Sequence, residues 1–149
     1  MKLKPKKYSF RTNIRWLQAR RGILSADGRT TIDIACPPEF GGELGYWTAE
    51  HLFVAATEIC IMTTFIWLLE KAGGRLISYE SEAVGTAQMI NGDFRFSKIE
   101  IRPVITTKEI FFSKVKDAME KARKQCLISK ALNFKVKIST IIKQSEMTI

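Results

Sequence analysis

The stretch from Tyr46 to Met62, YWTAEHLFVAATEICIM, carries a carboxylate, Glu50, near its start and a thiol, Cys60, near its end. Both lie in what reads as one apolar helix, and the rest of the chain offers few other groups able to do chemistry. A thiol can attack an electrophile once ionised, which requires a cation or hydrogen-bond donors close by. On an α-helix, ten positions separate two residues by roughly 15 Å along the axis and about 80° around it. Glu50 and Cys60 therefore cannot meet within one straight helix. If they serve one site, a third element or a second copy of the chain must bridge them, and a dimer is the economical choice.

The spacing also places Thr57 and Thr64, at i−3 and i+4 from Cys60, on the same helical face, where their hydroxyls could donate to a thiolate. Glu58 points to roughly the opposite side. Cys126, in KARKQCLISKAL, reads as lying just past the end of a second helix, the wrong end of the dipole to favour a thiolate. That suits a resolving thiol better than an attacking one. Cys36 is assigned to the core. Three widely spaced cysteines, with no Cys-x-x-Cys, exclude a secreted disulfide framework. A structural zinc site would consume every cysteine and the single histidine, His51, so no metal or other cofactor is expected. His51 reads as a first-turn surface residue.

At 149 residues the chain fits a single domain spanning 1–149, large enough for a core without disulfides. The first ten residues, MKLKPKKYSF, are basic and lack the apolar run of a signal peptide. Thr57, Glu58, Thr63 and Thr64 interrupt the greasiest segment, so no stretch is expected to span a bilayer. A cytoplasmic location is the expectation. The net charge of +9 raises nucleic acid as a partner, but no helix-turn-helix, zinc finger or aromatic RNA-binding signature accompanies it. A solvated basic surface is preferred, with nucleic acid and membrane both disfavoured as partners.

The elements that must position these groups follow from periodicity. Residues 6–18 and 29–36 read as strands, the second placing Ile32, Ile34 and Cys36 on one face, with a turn at Ala26-Asp27-Gly28 and a second bend at Gly22. PPEFGGELG is a loop. Thr48 is a plausible N-cap for a helix running to about Lys71, closed by Ala72-Gly73-Gly74. That helix is apolar nearly all round and should be central, wrapped by sheet or by a partner chain. Residues 75–90 and 94–106 form a hairpin across Asn91-Gly92-Asp93. An amphipathic helix over about 108–125 and a last strand, NFKVKIST, complete the chain. Two helices against mostly antiparallel sheet make the fold class α+β.

Taken together, SADGRTTIDIACPPEFGG before the first helix, TAEHLFVAATEIC across it, VGTA on a strand and AMEKARKQCLISKAL near the end resemble the OsmC/Ohr family of thiol-dependent hydroperoxide reductases. The resemblance implies an intertwined homodimer with two interfacial active sites, each reducing an organic hydroperoxide. It makes Cys60 the attacking thiol, Cys126 the resolving thiol and Glu50 the carboxylate that holds an activating arginine. Counting back from the shared Ser-x-Asp-Gly turn favours Arg20 for that arginine, with Arg21 as its neighbour in register. A dithiol reductant, such as a lipoylated protein, would recharge the site. An apolar pocket for the organic group would draw on Trp47, Phe53, Phe65 or Trp67, although core packing explains each of them. The sequence departs from the family pattern at Glu58, Ile59 and Ile61 around the first cysteine, at Leu127, where proline commonly follows the second, and at His51, where glutamine is usual. The alternative is a non-catalytic protein of the same fold that binds a small apolar or anionic ligand at the dimer interface.

Overall fold

The computed structural model describes residues 5–146 and divides the chain into two compact units, one ending at Leu52 and one beginning at Phe53. The basic opening at residues 1–4 lies outside the described residues.

The first unit is built on a three-stranded antiparallel sheet of β1 (Asn13–Gln18), β2 (Arg21–Ser25) and β3 (Ile32–Ala35), in that order. The expected strand over residues 6–18 begins only at Asn13, and β2 is an additional strand that follows a tight reversal at Ala19, whose φ of 47° is left-handed. Gly22 is not a bend. It is buried within β2 opposite Trp16, and a Cβ there would stand 2.8 Å from the Arg15 carbonyl oxygen, so only glycine permits the close cross-strand approach. β1 is exposed along its whole length, leaving Ile14 and Trp16 uncovered.

Helix α1 (Ala49–Lys71) runs across the boundary of the two units. Thr48 caps it, its hydroxyl accepting from the His51 N–H at 3.1 Å. Gly73 ends it at φ 73°, with the Gly74 N–H returning to the Leu69 carbonyl at 2.9 Å in a Schellman arrangement. Only one stripe is fully buried, Thr57, Ile61, Phe65 and Leu69, at intervals of four. The opposite stripe leaves Ile59 57% and Trp67 50% exposed. The sheet of the same chain therefore covers one side of the helix. The expectation that no stretch could span a membrane is overturned on length and composition: α1 has 23 residues and a window of mean hydropathy 2.0. A core helix of a globular fold passes the same test, and the stripe packed into the core is what such a helix needs.

In the second unit, β4 (Ser78–Ile90) and β5 (Asp93–Thr107) form the hairpin that Asn91-Gly92 dictates, both residues having positive φ, at 50° and 86°. From Ile99 onward the odd residues of β5, including Ile101 and Ile105, are buried on one face. They meet the α1 stripe and the apolar side of α2 (Phe112–Gln125), which contributes Val115, Ala118, Met119 and Ala122. A five-residue helix, α3 (Leu127–Ala131), follows directly.

The expected last strand over residues 133–140 is reduced to β6 (Lys137–Ile138), and a further strand, β7 (Ile141–Gln144), follows beyond it, both parallel to β5. Pro103 explains the break. The carbonyls of Ile101 and Thr107 accept from the Ser139 and Ser145 N–H groups, so the odd residues of β5 turn their backbone toward β6 and β7. Proline at 103 has no N–H to contribute there, and the ladder loses a rung between the two strands.

Candidate active site

Cys60 sits on the flank of α1, between the buried stripe and the exposed one, half-buried against the core. Cys126 is fully buried where α2 ends and α3 begins. The two thiols, 66 positions apart in sequence, are hydrogen-bonded to each other and both are free. Cys126 caps both helices: its N–H bonds the Ala122 carbonyl at 2.9 Å, while its sulfur accepts from the Ser129 N–H at 3.4 Å. The placement of Cys126 at a helix C-terminus is therefore half of the geometry. A second helix starts from the same residue.

That second helix supplies what α1 lacks. Burial pushes the Cys60 thiol up, but the Cys126 thiol, the Ile128 N–H, the Thr64 hydroxyl and the Leu127 N–H outweigh it, and Cys60 lies below its ordinary value. The Thr64 hydroxyl stands 3.9 Å from the sulfur. Thr57, expected to help, does not: its hydroxyl donates back to the Phe53 carbonyl at 3.3 Å within α1. Cys126 moves the other way, raised by burial and by its hydrogen bond to Cys60, with the Ser129 hydrogen bonds offsetting only part. One thiol is poised to ionise and its neighbour to keep its proton. The backbone donors of α3 were missed from sequence because LISKA is too short to show a helical period.

Glu58 turns away from Cys60, as expected, and accepts from the Ser81 hydroxyl of β4 at 2.5 Å. Of the aromatic residues, Phe65 packs on Tyr79 at 5.9 Å and Phe53 on Phe96 at 4.5 Å between centroids, so both belong to the packing of the second unit. Trp67 stacks under the Lys71 ammonium at 4.0 Å. Trp47 is half-exposed with its edge to His51, which is exposed.

In the first unit, Arg20 lies on the β1–β2 turn and donates to the Phe40 carbonyl at 2.5 Å. The Cys36 thiol, half-buried rather than in the core, donates to the same oxygen at 3.5 Å. Arg21 stacks over Tyr46 at 4.4 Å and approaches Glu43 at 4.0 Å, yet its Nε is buried with no partner among the described residues. Glu50 Oε2 is buried in the same condition. A buried donor on a cation and a buried acceptor on an anion are thus left unpaired within one unit, and such groups are costly unless something satisfies them. Arg20, Arg21 and Glu43 line a cleft of about 290 Å³ with Gly41 and Gly42.

The family model described as OsmC-like protein matches residues 41–141. No curated protein sequence matches the chain. Among solved structures, an OsmC-like protein of unknown function from Vibrio cholerae superposes with a TM-score of 0.82 at 19% identity, covering 91% of this chain and 100% of its own. An organic hydroperoxide resistance protein from Elizabethkingia anophelis gives 0.73 at 21% identity, over 95% and 100%. The organic hydroperoxide resistance protein OhrB of Bacillus subtilis gives 0.62 at 22% identity, over 91% and 98%.

Proposed function

Because this chain belongs to the OsmC-like family, we propose that it is a thiol-dependent peroxidase for organic hydroperoxides, with Cys60 attacking and Cys126 resolving. The observation that carries the reading is the hydrogen-bonded pair of free thiols whose acidities are pushed apart, Cys60 down and Cys126 up. The Cys60 thiolate attacks the terminal peroxide oxygen, the O–O bond breaks, and the alkoxide leaves as an alcohol after taking a proton. The resulting sulfenic acid condenses with the Cys126 thiol, releasing water and leaving a Cys60–Cys126 disulfide before further oxidation can occur. A dithiol reductant, such as a lipoylated protein, returns both thiols by exchange. Glu50 and Arg20 take the roles that the resemblance gives them, the carboxylate holding a guanidinium that steadies charge on the peroxide oxygens. Arg21, with its unpaired buried Nε, is the competing arginine, and Arg20→Lys and Arg21→Lys variants measured side by side distinguish the two. A homodimer acting in the cytoplasm completes the proposal.

The test is consumption of cumene hydroperoxide with dihydrolipoamide as reductant. Wild-type protein turns over, Cys60→Ser does not, and mild oxidation removes two thiols per chain while leaving Cys36 free. Undiminished turnover in Cys60→Ser, or three free thiols after treatment with peroxide, overturns the reading in favour of a ligand-binding protein.

A further inference from the structure

The +9 charge has no role in the chemistry above, and part of it gathers along one edge of the second unit. β5 has β4 on one side and the broken strand β6–β7 on the other, and no strand pairs with the far side of β6–β7 among the described residues. Since Ser139 and Ser145 point their N–H groups at β5, the alternate residues Thr140, Ile142 and Gln144 point their N–H and C=O groups outward. Their side chains stand on the face toward α2. There, Ile138, Thr140 and Ile142 and the α2 residues Lys116, Met119, Glu120 and Arg123 line a cleft of about 260 Å³, with Glu120 ion-paired to Arg123. A second cleft of about 330 Å³ continues past Arg123 and Ile138 to Lys135 and Lys137. The two share residues, so they form one groove with an aliphatic floor and a margin in which Lys116, Lys135, Lys137 and Arg123 outnumber the single carboxylate, Glu120. On the other face of the same edge, alternation places Lys137 and Lys143.

We propose that this edge is a docking surface for an extended, acidic segment of another protein, which adds to the sheet as a further strand beside β6–β7. The chemistry selects the occupant. Outward N–H and C=O groups in alternation are satisfied by another peptide backbone, which offers both in the same rhythm. A nucleic acid backbone offers acceptors only, and the groove presents no aromatic ring for bases to stack on. A membrane is disfavoured because the apolar groups are recessed between the basic ones, whereas an interfacial surface projects them outward. A segment with aliphatic residues on one face and carboxylates on the other meets Met119, Ile138 and Ile142 with the first, and Lys143 with the second, Lys137 being already paired with Glu100 at 3.4 Å. The span from Lys137 to Gln144 accommodates an extended segment of about 25 Å. Lys135 and Lys143 have no ion-pair partner among the described residues, so their charge is available to it.

The probe is a fluorescein-labelled octapeptide alternating glutamate and valine, titrated with the full chain and followed by anisotropy at about 50 mM and about 300 mM salt. Saturable binding that weakens with salt is expected. N-methylation of the alternate amides that would face the edge should abolish it, because the ladder can then no longer form. The double variant Lys135→Gln/Lys143→Gln, checked for unchanged circular dichroism, should bind about five- to tenfold more weakly. Equal binding of the N-methylated peptide, or full affinity in the double variant, overturns the proposal. So does a chain that ignores the peptide but binds a single-stranded oligonucleotide or phosphatidylglycerol vesicles.

Discussion

At the scale of single residues, the acidity of Cys60 is set by its neighbours in space rather than by its own helix. Burial alone would keep it protonated, and four donors reverse the outcome. The reactive form is the thiolate, so reactivity falls as pH drops through the depressed value and is retained at pH where a free cysteine, of pKa about 8.5, is largely protonated. Iodoacetamide labelling of Cys60 against pH, located by peptide mass spectrometry, should therefore show a midpoint below that of free cysteine. Thr64→Val removes one donor and should move the midpoint up. Cys126→Ser and Cys126→Ala separate the two roles of the second thiol. Serine keeps a hydroxyl donor, holding the Cys60 midpoint low while sulfenic acid accumulates. Alanine loses the donor as well, and the midpoint should rise. Of this geometry the sequence revealed the face that Thr64 shares with Cys60, because helical spacing is regular. It could not show that Thr57 spends its hydroxyl on the Phe53 carbonyl, since spacing gives a side chain's direction but not which acceptor captures it.

At the scale of elements, legibility followed the strength of the local signal. Asn91-Gly92 fixed the β4–β5 hairpin because few other pairs accept two positive φ values in succession. Gly22 misled because a glycine in a strand reads as punctuation, while its true role, letting the Arg15 carbonyl approach, depends on a partner strand. The five residues of α3 carry no period at all, yet they deliver two N–H donors to Cys60. Leu127 occupies the first position of α3, which tolerates proline, and Cys126 at φ −58° and ψ 120° already has the extended conformation that precedes one. Leu127→Pro should thus leave melting nearly unchanged and, by deleting one N–H, raise the labelling midpoint of Cys60 less than Thr64→Val does. In β4, Gly85 lies against Val54 and Phe96, and any Cβ would collide with the Val54 side chain. Gly85→Ala should cost about 1–3 kcal/mol, visible as a lower melting temperature by calorimetry.

At the scale of the whole molecule, the all-round apolarity of α1 was the most informative signal in the sequence and the one the chain by itself answers least. Its Thr57, Ile61, Phe65 and Leu69 stripe is buried in the core, but Ile59 and Trp67 on the other side stay about half exposed. In the first unit, Phe10, Ile14 and Trp16 are more exposed still, at 87%, 63% and 70%. Monomeric proteins seldom leave large apolar side chains uncovered in stripes, and two copies of the same surface related by a twofold axis would cover each other. The same consideration favours a second chain as the source of groups that the helical rise keeps from Cys60. Light scattering on the eluting wild-type protein should give twice the 17.0 kDa of one chain at micromolar concentration. Ile59→Glu with Trp67→Glu places two carboxylates in the contact, where pairing would bury charge without a partner, and should shift the mass to a single chain. Peroxidase turnover should fall with that shift while Cys60 remains alkylatable, because its four donors come from its own chain. A wild-type mass of 17.0 kDa, or a variant that stays paired with full turnover, would place the missing cover elsewhere.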